Sequence, residues 1–131
     1  MNKSIAVIVG IGLLGAGTHV LAGARLTSNV VVTSTMFSGS IAQARASSDS
    51  RQQIGCSLTA NTAGGSFGGC SAMDAAGNTK SCTFDSRVMP QFAQAVAIMS
   101  SNSFISVWFN PDGTCSGVRI SNASTYPGIG Q

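Results

Sequence analysis

The side chains that carry most acid–base chemistry in proteins are nearly missing from this chain. Its one histidine, His19, lies in the first two dozen residues, and from Arg25 onward there is neither histidine nor glutamate. Proton transfer would fall to Asp49, Asp74, Asp85, Asp112 and Tyr126. A serine nucleophile needs a base beside it, usually imidazole. Lys80 is the one lysine after Lys3, and it stands among polar residues on a strand-like stretch. Nothing there suggests the burial that turns a surface lysine into a base. A carboxylate pair for general acid and base work would have to come from the aspartates. Asp74 and Asp112 stand in turn sequences and Asp85 at the head of a helix-like stretch, which leaves Asp49 without a structural task. It follows Arg45 by four residues, so the two share a face in a helix or a strand. That spacing implies a local ion pair, worth about 0–1 kcal/mol if exposed, or an Arg/Asp pair that touches a ligand.

Four cysteines, Cys56, Cys70, Cys82 and Cys115, make an even set. No two are spaced as C-x-x-C and no histidine accompanies them, so neither a zinc site nor a redox motif is expected. Structural disulfides are. Hairpin register narrows the pairing. Asp74-Ala75-Ala76-Gly77-Asn78 reads as a three-residue loop closed by a glycine, which places Cys70 opposite Cys82. A loop around Asn61 to Ser66 places Cys56 opposite Cys70. Cys70 therefore bridges to one of its two neighbours and Cys115 takes the cysteine left over. Cys56 with Cys82 is disfavoured because it would skip a strand.

The setting for those bridges is export. Lys3 is followed by an apolar stretch from Ile5 to Gly17 and then by Ala22-Gly23-Ala24, the three parts of a secretory signal. The stretch is shorter than the roughly 20 residues a bilayer span needs. Cleavage is expected after Ala24, with Ala22 as the alternative, and no membrane insertion thereafter. Residues 25–131 then carry six basic and four acidic side chains, scattered without a run. That footprint is too weak for nucleic acid or an anionic membrane surface.

Along the rest of the chain, Val30-Val31-Val32 reads as an extended leader or edge strand, and residues 40–50 read as a short helix capped by Ser40 or as a strand. Strands are expected from Gln52 to Thr59, Cys70 to Met73 and Thr79 to Phe84. The glycine-rich stretch from Ala63 to Gly69 lacks the Lys-Ser/Thr ending of a phosphate-binding loop and reads as a flexible connection. A helix is expected from about Ser86 to Met99, with Asp85 as its cap, Pro90 near its first turn, and Met89, Phe92, Val96 and Met99 as one apolar stripe. A closing hairpin joins Phe104–Phe109 to Thr114–Ser121 through Asn110-Pro111-Asp112-Gly113, placing Phe109 opposite Cys115 and Val107 opposite Gly117. Trp108 lies in that hairpin, on a face the pattern leaves undecided.

The expected fold is α+β: a small antiparallel sheet of two or three hairpins with one helix packed on one face, stapled by disulfides. The expected division is a signal over 1–24, an extended leader over 25–39, one domain over 40–123 and a flexible tail over 124–131. No catalytic residue, metal or cofactor is expected. The composition points to an exported, secreted or periplasmic, non-enzymatic module that binds a macromolecule at the envelope or outside the cell, with Arg45, Asp49 and Trp108 as candidate contacts. The alternative is a subunit of a filament, coat or matrix, assembled by strand addition through Thr27–Ser34.

Overall fold

Three loops of one design set the strand registers. They are Asn61–Gly65, Asp74–Asn78 and Asn110–Thr114 in a computed structural model that describes residues 28–122. The expected signal, its cleavage site and the tail from 124 lie outside the described residues. In each loop the first residue donates its backbone N–H to the carbonyl of the fifth, at 2.9, 3.1 and 2.9 Å. The fourth residue donates back to the carbonyl of the first. That fourth residue is Gly64, Gly77 or Gly113, with φ of +82°, +90° and +83°. Only glycine takes this backbone without strain, so D/N-x-x-G is an instruction for a three-residue hairpin loop. The side chains of Asn61 and Asp74 add a bond each, to the N–H of Gly65 and Asn78.

The strands so joined are β3 (Gln53–Ala60), β4 (Ser66–Met73) and β5 (Thr79–Thr83), which form a three-stranded antiparallel sheet, and the pair β6 (Phe104–Phe109) and β7 (Cys115–Ser121). The second sheet is completed from the other end of the chain. β1 (Val31–Val32) and β2 (Met36–Ser40) add to β6, giving the order β1-β2-β6-β7, antiparallel throughout. There are thus two sheets where one was expected, and two short helices, α1 (Ile41–Ala46) and α2 (Met89–Ala97), where one was expected. The stretch read as a leader supplies β1, an edge strand, and most of β2, an interior strand. Its pairing partner β6 lies more than sixty residues away, and no local pattern announces such a contact.

Other differences have local causes. Gly68 and Gly69 are not in a flexible loop but in β4, where a side chain would run into the carbonyl oxygens of Ser57 and Cys82. These glycines let β3 and β5 approach the central strand closely. α2 starts at Met89, three residues later than expected, and Asp85 does not cap it. Pro90 belongs in a first turn, where its missing N–H costs nothing, and this sets the start. Asp85 instead accepts the backbone N–H of Arg87 at 2.8 Å and pairs with its guanidinium. In the closing hairpin Phe109 lies opposite Cys115 as expected, but a bulge at Ser116 shifts the register. Val107 therefore faces Val118, and Gly117 faces Trp108. Of residues 40–50, Ile41–Ala46 form the helix α1: Ser40, the last residue of β2, accepts the N–H of Gln43 as its cap, Ile41 and Ala44 are buried, and residues 47–50 turn toward β3.

The core lies between the sheets. Phe37, Ile105 and Val107 of one sheet meet Ile54, Cys70, Ala72 and Cys82 of the other, with Phe84 just beyond β5. Met89 and Phe92 of α2 close one side, and the Phe84 and Phe92 rings stack with centroids 4.4 Å apart. The disulfides join Cys56 to Cys70 and Cys82 to Cys115, one of the two pairings left open by the register. The first ties neighbouring strands; the second ties the two sheets.

Two outcomes follow for stability. Replacing Cys82 and Cys115 together by serine should cost roughly 2–4 kcal/mol, read from urea unfolding. The Cys56/Cys70 double replacement should cost about 0.8 kcal/mol less on loop entropy, because it opens a separation of 14 residues instead of 33. Ser38 is 1 % exposed and its Oγ makes no hydrogen bond. Ser38→Ala removes a desolvated hydroxyl without breaking a bond, so it should leave the unfolding midpoint unchanged or raise it.

Candidate functional site

The four aspartates are consumed by local structure. Asp49 sits in the connection between α1 and β3, where it accepts the N–H groups of Arg51 and Gln52 at 2.8 and 3.0 Å and the Gln52 side chain at 2.6 Å. Gln52 in turn receives the N–H of Val30 on its Oε1 at 2.8 Å, which ties the start of the described chain to this connection. The hydrogen bond from the Gln52 amide, helped by those from the backbone, lowers the Asp49 pKa to about 2. Asp85 is also lowered to about 2, by its bonds to Arg87. Asp74 and Asp112 are lowered by bonds from Asn78 and from Thr114. A lowered value stabilises the carboxylate and works against its use as a proton carrier near neutral pH.

Arg45 and Asp49 therefore form no ion pair with each other. Arg45 lies exposed in the last turn of α1, and the ion pair among the described residues joins Asp85 and Arg87. Trp108 is elsewhere. Ser40, which leads into α1, lies opposite Phe104, and Trp108 is four residues further along β6, about 13 Å away at strand rise. No hydrogen bond or ion pair among the described residues links Trp108 to Arg45 or Asp49. Nor do three or more His, Cys, Asp or Glu side chains converge there to hold a metal ion.

The register decides the orientation of Trp108. Ile105 and Val107 face the core, so Trp108 faces outward, 40 % exposed. Its cross-strand neighbours are Met36 on β2 and Gly117 on β7. A Cβ on Gly117 would lie 3.3 Å from Trp108 Cε3, so the indole passes over the glycine toward the outer edge of the sheet. Arg119, exposed and two residues beyond Gly117, shares this face. An amphipathic ring held on a strand and flanked by a methionine and an arginine is a surface suited to contact.

Beside it, on the core side of β7, runs a groove of about 290 Å³ between that strand and α2. Val88, Gln91, Phe92 and Ala95 form one wall; Ser116 and Val118 form the other. It contains no charged side chain. A second depression, about 330 Å³, lies on the three-stranded sheet and is lined by glycine, serine and cysteine alone. Neither depression is lined by a histidine, a lysine or a carboxylate.

Of the residues singled out from the sequence, Trp108 lies on the outer face of the four-stranded sheet, and Arg45 and Asp49 lie apart from it. Met36, Gly117, Arg119 and the α2 wall were not foreseen. The alternation Gly117, Arg119 behind an identified turn was a usable signal; the bulge at Ser116 hid which strand face it belonged to. Among the described residues no helix is long and apolar enough to cross a membrane. Compared with protein-family models, with curated proteins and with solved structures, the chain matches none.

The Asp49 geometry has a measurable consequence. Its folded pKa lies below the ordinary 3.8, so what its bonds contribute is present above about pH 4 and is lost as pH falls toward 2. Carboxyl carbon NMR should find Asp49 titrating near 2 in the native chain. In Gln52→Ala the largest of its hydrogen bonds is gone, and the midpoint should move up toward 3.8.

Proposed function

We propose that this protein is an exported, non-enzymatic interaction module of the cell envelope or the extracellular space, which holds a macromolecular partner against the Trp108 face of the four-stranded sheet. The observation that carries this reading is the placement of Trp108: an exposed indole over Gly117, beside Met36 and Arg119, at the end of a strand whose other face buries Ile105 and Val107 and whose own face is buried further along, at Ser106 and Phe104. Two disulfides, together with the Lys3, Ile5–Gly17 and Ala22–Ala24 pattern, support an oxidising destination. The engagement of all four aspartates in turns and connections supports a role other than catalysis.

The second reading is a subunit of a filament or coat that donates its Thr27–Ser34 segment to a neighbour. Val31 and Val32 already pair with Ser38 and Phe37 of their own chain, so donation would require that pairing to open. This weighs toward the module.

Immobilised 25–131 chain, oxidised, should capture a defined partner from an envelope extract, identified by mass spectrometry and then purified. Trp108→Ala should weaken binding of that purified partner at least tenfold while secretion and both disulfides stay intact. Unchanged affinity in Trp108→Ala would remove the Trp108 face from the function.

A further inference from the structure

We propose that the open edge of β7 accepts an extended acidic polypeptide segment as an added β-strand, with an apolar side chain seated in the groove beside α2 and a carboxylate facing Arg119. This rests on the interaction-module reading and names its mode and its partner's chemistry.

Among the described residues β7 is an edge strand, in the order β1-β2-β6-β7. The direction of its backbone groups follows from alternation. The N–H of Phe109 donates to the carbonyl of Thr35, toward β2, so Val107 and Ile105 also direct their backbone groups to β2. Trp108, Ser106 and Phe104 direct theirs to β7, where Gly117, Arg119 and Ser121 answer them. Val118 and Ile120 are left with N–H and C=O directed out of the sheet. The bulge at Ser116 precedes this stretch, and no proline interrupts it, so Gly117–Ser121 offers a regular ladder.

Side chains of a strand added there alternate between two environments. Those on the Val118 side enter the uncharged groove of about 290 Å³ against Val88, Gln91, Phe92 and Ala95. Those on the other side meet Arg119 and, across the bare backbone of Gly117, the Trp108 ring. Main-chain bonds then supply affinity and the alternate pockets supply selection.

Charge complementarity identifies the occupant. Arg119 lies opposite Ser106, and no aspartate among the described residues is turned to it: Asp49, Asp74, Asp85 and Asp112 are bonded to Gln52, Asn78, Arg87 and Thr114. A second copy would offer none either, because all four aspartates lie in turns and loops and none on a strand. With all four aspartate side chains committed elsewhere, the carboxylate we assign to Arg119 is a partner chain's.

The test is fluorescence anisotropy with fluorescein-labelled ten-residue peptides in which leucine alternates with glutamate, serine or lysine. The glutamate peptide should bind at least tenfold more tightly than the lysine peptide, with affinity falling as salt rises. Arg119→Glu should reverse that order, which loss of structure alone would not do. Val118→Pro removes an N–H that faces the edge and breaks no bond within the sheet, and should abolish binding. Ala95→Trp fills the groove and should abolish it too. If Val118→Pro fails to fold, Ala95→Trp and Arg119→Glu carry the test. Equal affinity for the three peptides, or a β7 edge occupied by a second copy in solution, would overturn the proposal. Should Trp108→Ala lose the envelope partner while Val118→Pro and Ala95→Trp keep it, the module reading stands and strand addition falls. Should Trp108→Ala keep the partner while the glutamate preference and its reversal are seen, the β7 site stands and the Trp108 face falls.

Discussion

The Cys82–Cys115 bond is the constraint on which the arrangement of the two sheets depends. Each sheet is small, and each exposes an apolar face that must find cover. β5 ends at Thr83, and the chain then runs through α2 before entering the other sheet, so sequence continuity alone leaves the two free to separate. The disulfide closes that gap, with its Cα atoms 5.0 Å apart. Beside it the N–H of Thr83 donates to the Gly113 carbonyl, and Thr83 forms an isolated parallel bridge with Thr114. The β6–β7 hairpin is thereby anchored at its loop end. Phe84 follows directly, and its stack on Phe92 brings α2 down onto the same junction. From this point outward the groove, the β7 edge and the Trp108 face hold fixed relative positions.

A small chain with few charges has to spend its polar groups on shape. Here every aspartate secures a turn or connection, and each lowered pKa records hydrogen bonds that favour the ionised form in place. The consequence reaches the surface: among the described residues Arg119 has no acidic partner, and the groove beside it is lined by uncharged side chains. Stability and recognition are drawn from separate residues. Substitutions at Trp108 or Arg119 therefore touch no turn, cap or disulfide.

Glycine contributes in two ways that the same letters conceal. Gly64, Gly77 and Gly113 hold positive φ in hairpin loops, whereas Gly68 and Gly69 serve as places where backbones come close. Composition alone cannot tell these apart. A run of glycine next to a turn sequence looks mobile until the flanking strands are known, and the closeness of β3 and β5 to β4 is a property of the assembled sheet.

What could be read from the residues alone is what depends on near neighbours. The D/N-x-x-G loops determine two hairpin registers, and with them Cys70 opposite Cys82 and Phe109 opposite Cys115. The stripe Met89, Phe92 and Val96 determines the buried side of α2, and the sequence holds no histidine or glutamate after Arg25. Tertiary structure decided the rest. Which neighbour Cys70 bonds, the splitting of one expected sheet into two, the pairing of β2 with β6 and the outward turn of Trp108 depend on contacts between distant segments. Periodicity over five or six residues contains no information about such partners, and one bulged residue at Ser116 is enough to shift the pairing beyond it.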